Sequence, residues 1–345
     1  MTKYLKITLL ILAFSFFAYT EYDKMFGGKT DAISVMAENK ADSVVMIVND
    51  ITKPNSKHAS GMGTGFFISD NLIVTNHHVV ENTDKLYVKG KRNPKFYDAE
   101  VIASDKFSDL ALIRVKDWND YKGTNPHDPL VFASSRNLTL GSRVWSIGHP
   151  WGLTWSISEG VISSLSRRID GNINYLLQTD TRIFQGNSGG PLLNDNGDVV
   201  GVNSRMVANT GGSFGFAIPS DLAVKVIDNL KNDGHVKWAL IGIKMGSSQD
   251  KKYVAVMSVT PGSAAEKAGV LLGDVLLRVN TSKTPPDGIR IDDPDSILDE
   301  MAIINPGDRV KLTIQRNGKV IMLYAEPDGK TSDDLSAMLD KTPGK

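Results

Sequence analysis

Gly186-Asn187-Ser188-Gly189-Gly190-Pro191 is the segment whose residue types point most directly to chemistry. A serine hydroxyl attacks poorly unless a base takes its proton. The oxyanion created by its attack needs N–H donors already in place. Glycines beside the serine let the backbone turn tightly and aim amides at one point. Gly186 and Ser188 are expected to supply those oxyanion-hole N–H groups, with Asn187 shaping the turn between them. A plain glycine turn between strands explains the same string, so a base must be found elsewhere. Thr75-Asn76-His77-His78-Val79-Val80 lies upstream, after the apolar run Leu72–Thr75, and His78 is the candidate base, with His77 an exposed bystander. A third group must orient the imidazole and stabilise its charged form. Asp109 heads the apolar run Leu110–Val115, where a carboxylate is held partly buried beside a histidine; Asp105, in a polar turn, is the competitor.

The elements around these residues read as β-structure. Ser43–Val48, Gly65–Ile68, Leu72–Thr75, Lys85–Val88, Ala99–Ser104 and Leu110–Val115 are short apolar or alternating runs, most of them separated by polar and glycine clusters. Arg143–Gly148, Ser156–Ser164, Tyr175–Thr179, Pro191–Leu193, Val199–Asn203 and Phe214–Ile218 continue the series. Many short strands at such spacing predict a barrel or sandwich. Between Asp221 and Lys231 the period changes to that of a helix, with Leu222, Val226 and Leu230 on one face, and Asn232-Asp233-Gly234 stops it. A smaller α+β domain is expected beyond it. Its strands are Ile241–Met245, Tyr253–Val259, Val275–Val279, Val310–Gln315 and Val320–Ala325, and its helices Ser263–Ala268 and Ser296–Ile303. Thr281–Pro294 reads as a surface loop, and Asp328–Lys345, rich in Asp, Lys, Gly and Ser, as a mobile tail.

Bulk composition narrows the function classes. Of 345 residues, 41% are hydrophobic and 23% charged, with Lys+Arg and Asp+Glu balanced at 39 each. That is ordinary for two folded domains and gives no electrostatic reason to expect nucleic acid. The absence of cysteine excludes disulfides, thiolate nucleophiles and Cys-ligated zinc. Six histidines in no metal-ligand pattern, and no phosphate-binding loop, lead to the expectation of no metal and no cofactor. At the N-terminus Lys3 and Lys6 precede the apolar run Ile7–Tyr19. This reads as an export signal, cleaved or kept as an anchor that contacts the membrane through residues 5–20. Its best small-residue pair, Ala18 and Thr20, makes a poor cleavage site. A helix at Asp31–Lys40 follows.

The order His78, Asp109, Ser188 is that of the chymotrypsin-type double barrel, not of subtilisin-like or α/β-hydrolase enzymes. Further strings extend the match: Gly63-Thr64-Gly65-Phe66-Phe67-Ile68, Gly148-His149-Pro150-Trp151-Gly152-Leu153 and Gly215-Phe216-Ala217-Ile218-Pro219. Together these segments resemble, in order, those of HtrA/Deg-type serine proteases, from about Ala41 to Pro327. The resemblance implies a mainly β chain, a chymotrypsin-like double β-barrel over residues 31–233 followed by one PDZ domain over 236–327. It implies a serine endopeptidase whose catalytic residues match His78, Asp109 and Ser188. It also implies a homotrimer packed through the segment after the export signal, with Tyr22 and Phe26 as contacts.

Where the family reads Ala-Ile-Asn-Pro before the serine motif, this chain has Arg182-Ile183-Phe184-Gln185. The proline that would fix φ is missing, and Phe184 and Arg182 alter the floor near the primary specificity pocket; Phe214 and Phe216 are further candidates for its lining, though Phe216 fits barrel core equally well. His149 stands where the family often has asparagine or serine and is read as a satisfied loop histidine. The segment Ile51–Ser60 is short where some relatives carry a long insertion. In the second domain Leu240, Ile241, Gly242 and Ile243 match the carboxylate-binding loop and first strand, which capture a C-terminal peptide as an added strand. In relatives an arginine ahead of the Gln-Thr-Asp strand relays peptide occupancy to the oxyanion loop. Arg167 is the candidate here, with Arg168 the alternative. The expected function is ATP-independent proteolysis of misfolded or signalling proteins in the periplasm or cell envelope. The single PDZ domain and the weak cleavage signal favour the anchored regulatory kind over a broad quality-control protease. The alternative is a catalytically weak chaperone or scaffold that binds unfolded chains.

Overall fold

The computed structural model describes residues 28–49, 61–169, 175–209, 212–247 and 253–340. The export segment, Tyr22, Phe26 and the whole Ile51–Ser60 segment lie outside them. No helix among the described residues is long and apolar enough to cross a membrane.

A first helix, α1 (Gly28–Ala41), leads into six antiparallel strands: β1 (Val44–Asn49), β2 (Met62–Ser69), β3 (Leu72–Thr75), β4 (Leu86–Lys89), β5 (Tyr97–Asp105) and β6 (Leu110–Val115). They close into a barrel in the order β1-β2-β3-β6-β5-β4. Short helices α2 (His77–Val80) and α3 (Trp118–Thr124) flank it. Closure leaves no free sheet edge, and the interior fills with Val45, Ile47, Phe67, Ile73, Val88, Ile113 and their neighbours.

A second barrel follows: β7 (Arg143–Gly148), β8 (Ser156–Arg167), β9 (Leu176–Thr179), β10 (Pro191–Leu193), β11 (Val199–Asn209) and β12 (Gly212–Pro219), in the order β10-β11-β12-β9-β8-β7. Two barrels of six strands each make the chymotrypsin-like architecture expected from the order of the motifs. Helix α4 (Ser220–Asp233) buries Leu222, Val226 and Leu230, the face read from the sequence. It ends where Gly234 takes the left-handed conformation (φ 74), which glycine adopts without Cβ strain.

The C-terminal domain contains β13 (Lys237–Leu240), β14 (Ile243–Ser247), β15 (Val254–Val259), α5 (Ala264–Lys267), β16 (Val275–Asn280), β17 (Ile289–Arg290), α6 (Pro294–Ile303), β18 (Val310–Arg316) and β19 (Lys319–Ala325). Its main sheet runs β14-β15-β16-β18-β19, so β14 is an edge strand. The expected first strand, Ile241–Met245, starts only at Ile243, because Gly242 bends the chain at φ 85 between β13 and β14. The expected mobile tail is corrected more sharply. Residues 328–340 form β20 (Asp328–Thr331), paired with β13, and α7 (Ser332–Asp340), whose Leu335 is buried. The backbone of β20 supplies the pairing, so a polar composition does not prevent it.

Polar and aromatic contacts join the barrels to this domain. Lys225 of α4 donates to the Ala302 carbonyl of α6 at 3.0 Å. Arg136 pairs with Glu300 at 2.9 Å. Phe107, in the β5–β6 turn, meets Trp238 edge-on with ring centroids 5.0 Å apart.

Candidate active site

Strand register decides where the candidate residues meet. Thr75 lies opposite Ala111, so the chain leaving β3 toward His78 runs beside the chain entering β6 from Asp109. The Asp109 carbonyl accepts the His77 N–H (3.1 Å) and the Asn76 side-chain amide (2.9 Å). Asp109 has φ 58, a left-handed conformation that Asp tolerates better than most residues. Its carboxylate oxygens lie 2.8 and 2.9 Å from Nδ1 of His78. Oδ1 also accepts the His78 backbone N–H at 3.1 Å, and Oδ2 the Ser204 hydroxyl at 2.8 Å. Burial works against ionisation of Asp109. The hydrogen bond and charge of His78, with the Ser204 hydroxyl and the His78 N–H, outweigh it and hold the carboxyl below its ordinary value. An ionised carboxylate only accepts, so Nδ1 of His78 carries a proton, and in the neutral ring Nε2 is then the nitrogen with the lone pair.

Ser188 shares a cleft of about 540 Å³ with His78, Asp109, Phe184, Ser204 and Met206. Its carbonyl accepts the Thr64 N–H of the first barrel at 2.8 Å, and Gly189 N–H bonds Asn203 at 2.8 Å, which ties the loop to both barrels. A Cβ at Gly189 would sit 2.2 Å from the Thr64 carbonyl oxygen, so the approach requires glycine. The Asn187 N–H donates to Phe184 (2.9 Å), while the N–H groups of Gly186 and Ser188 have no backbone acceptor among the described residues. The Ser188 hydroxyl donates to the Ser204 carbonyl at 2.9 Å, and among the described residues no hydrogen bond joins it to His78.

The other predicted residues separate. His77 is half-buried, its Nδ1 3.1 Å from the Ser104 hydroxyl. Asp105 is buried away from His78, accepts the Ser108 N–H (2.7 Å) and bonds Ser332 of α7. Phe184 lines the cleft and stacks on Trp151, with centroids 4.5 Å apart. Phe214 and Phe216 do not line it: Phe216 is buried in the barrel core, and Phe214 is 44% exposed toward the end of the β11–β12 hairpin. Ile183 and Met206 take their place in the lining. Ser204 was not among the candidates, because nothing local marks it. His149 is wholly buried, its Nδ1 3.0 Å from the Thr64 hydroxyl, but its Nε2 has no partner among the described residues, so it is only half satisfied.

In the C-terminal domain Leu240, Ile241, Gly242 and Ile243 line a cavity of about 270 Å³ between the β14 edge and α6, which presents Ile297, Leu298 and Met301. Arg167 stays local and donates to Gln178 Oε1 at 3.0 Å. Of the two candidate arginines, the one that reaches the second domain is Arg168, 3.2 Å from Asp295 and paired with Asp299 on α6. Arg168 lies just past the end of β8, where the chain is free to leave the barrel wall.

Residues 63–202 match the trypsin-like peptidase domain and residues 239–325 the PDZ domain. The chain is 32% identical over 273 residues to "Serine endoprotease DegS" of Haemophilus influenzae, covering 76% of each. It belongs to the HtrA family of serine proteases. A second HtrA relative, "Probable periplasmic serine endoprotease DegP-like" of Chlamydia pneumoniae, is 38% identical over 302 residues, 83% of this chain and 59% of that one. The chain therefore spans under two thirds of that relative's length. Among solved structures, HtrA-type protease AlgW with a tripeptide aligns at 25% identity and TM-score 0.67, covering 86% of this chain and 97% of that one. The serine endoprotease from Yersinia pestis aligns at 29% identity and TM-score 0.57, covering 86% and 97%.

Proposed function

We propose that the chain is a serine endopeptidase in which Ser188 is the nucleophile, His78 the general base and acid, and Asp109 the group that fixes the His78 tautomer. The observation that carries this reading is the two-oxygen contact of Asp109 with Nδ1 of His78, at 2.8 and 2.9 Å, in the cleft that also holds Ser188. Rotation of the Ser188 hydroxyl from the Ser204 carbonyl toward Nε2 of His78 starts the reaction. His78 takes the proton as Ser188 attacks the peptide carbonyl, and the Gly186 and Ser188 N–H groups receive the developing oxyanion. His78 then protonates the leaving amine, and water hydrolyses the acyl-enzyme.

The substrates are unfolded or regulatory proteins of the periplasm or cell envelope. Two relatives are periplasmic serine endoproteases by name. The apolar cavity beside the β14 edge suits a C-terminal peptide added as a strand, with an apolar side chain in the pocket. The arginine that couples this domain to the protease is Arg168, through its pairs with Asp295 and Asp299. The working assembly is a homotrimer.

The Ser188 hydroxyl bonded to Ser204 also suits a resting state, or a scaffold that binds unfolded chains without cutting them. Incubation with a disordered model protein separates these readings. Cleavage by wild type and not by Ser188→Ala, faster when an apolar C-terminal peptide is added, supports the protease. Binding without cleavage, with or without peptide, favours the scaffold.

A further inference from the structure

Three elements meet beneath the loop that carries Ser188. Thr64 of β2 is fully buried, and its hydroxyl donates to the Gly186 carbonyl at 2.6 Å. The same oxygen lies 3.0 Å from Nδ1 of His149. A hydroxyl has one hydrogen and a carbonyl only accepts, so that hydrogen belongs to Gly186. His149 must then be the donor to Thr64, through Nδ1–H. The tautomer so fixed leaves Nε2 bare, in agreement with a buried Nε2 that has no partner among the described residues and a ring set edge-on to Trp155. Burial, with a smaller effect of Lys89, pushes the His149 pKa down to about 3, so the ring is neutral at ordinary pH.

The adjoining peptide is held from the same side. The Trp151 N–H donates to the Gln185 carbonyl at 2.9 Å. In a trans peptide the N–H points opposite to the carbonyl, so this bond directs the Gly186 N–H away from the 149–152 loop. Gly186 itself imposes little. It has φ 103, and a Cβ there would lie 2.3 Å from the His149 carbonyl oxygen. Gln185 has no ring to lock its φ. A glycine preceded by an unrestrained residue keeps one conformation only if its neighbours hold it.

We propose that His149 and Thr64 are positioning residues for the oxyanion hole. The relay from His149 Nδ1–H to the Thr64 hydroxyl to the Gly186 carbonyl, with the Trp151–Gln185 bond, holds the 185–187 backbone so that the Gly186 N–H stays available to the oxyanion. The inference rests on the protease reading above. Hydrogen bonds in series polarise one another, so His149 strengthens the bond that Thr64 makes.

The test uses the full chain and steady-state cleavage of a peptide substrate, with a peptide boronate as mimic of the tetrahedral intermediate. Thr64→Val keeps the shape and removes the hydroxyl. It is expected to lower kcat roughly tenfold to hundredfold, near the range seen when one oxyanion donor is lost. KM should stay within about twofold, and boronate affinity should fall by the same factor as kcat/KM. Thr64→Ser, which keeps the hydroxyl, should restore most of kcat. His149→Phe should cost roughly fivefold, and the Thr64→Val/His149→Phe double variant should be no worse than Thr64→Val alone, because His149 acts through Thr64. Unchanged kcat and boronate affinity in folded Thr64→Val would overturn the relay, as would equal losses in Thr64→Val and Thr64→Ser, or additive losses in the double variant. If Thr64→Val does not fold, Thr64→Ser and His149→Phe decide: near-wild-type kcat with serine and a kcat-specific loss with phenylalanine support the relay. No loss with phenylalanine overturns it. Wild type that shows no Ser188-dependent cleavage in any condition contradicts the protease reading itself. Active wild type with unaffected variants contradicts the relay alone.

Discussion

Asp109 accepts from Nδ1 and the backbone N–H of His78 and from the Ser204 hydroxyl, and these bonds do different work. In Asp109→Asn the amide can donate to Nδ1, which moves the ring proton to Nε2 and removes the base. The expected fall in kcat is about 10⁴-fold, the size known for the wrong tautomer. Ser204→Ala removes one bond and leaves the tautomer intact, so kcat should fall only severalfold, in keeping with about 1 kcal/mol for one hydrogen bond. Steady-state kinetics of the two variants check the ranking; a Ser204→Ala loss as large as that of Asp109→Asn would contradict it. His78, Asp109 and Ser188 were legible because each sits in a local string with its own chemistry. Ser204 was not, since its bond arises only where β11 passes Asp109. Phe214 and Phe216 misled for a related reason. They share a strand face, but Phe216 falls inside the barrel and Phe214 toward the Asn209–Gly212 end of the hairpin.

At the scale of elements, most strands could be read from short apolar runs, and the β3–β6 register then brings His78 to Asp109 without further instruction. The split between β13 and β14 was hidden, because a single glycine inside an apolar run does not announce its φ. Helix α4 carries a consequence that periodicity does not show. Lys225 is buried on it, over the Trp238 ring at 4.4 Å, and donates to the Ala302 carbonyl. Burial lowers its pKa from 10.5 to about 8, more than nearby Asp105 and Asp308 raise it. Between those values the unfolded chain binds more protons than the folded one, so this group makes stability rise with pH from about 8 to about 10.5. Lys225→Met keeps the apolar stem against Trp238 and removes the ammonium. The expected outcome is loss of that alkaline rise in the urea midpoint; the same slope in the variant would contradict the assignment.

The two domains are fastened at more than one place, and one fastening is the segment 328–340. Ser332 accepts the Trp238 indole N–H at 3.0 Å and bonds Asp105, the last residue of β5 before the turn that leads to Asp109. Leu335 closes one side of the cavity beside β14. A chain ended at Pro327 loses the β20–β13 pairing and the burial of Leu335, the latter alone about 2 kcal/mol. It should unfold at a lower temperature and show red-shifted tryptophan emission; an unchanged Tm would mean that the segment stabilises nothing. Composition pointed the wrong way here because it counts polar side chains and is blind to backbone pairing. The account as a whole stands on one claim, that Ser188 is a nucleophile activated by His78 and Asp109. A fluorophosphonate probe, followed by mass spectrometry of the labelled peptide, tests it most directly. The account predicts one adduct, on Ser188, absent in Ser188→Ala, strongly reduced in His78→Ala and enhanced by an apolar C-terminal peptide. A folded wild-type protein that stays unlabelled with the peptide present, or that is labelled at another residue, would contradict it.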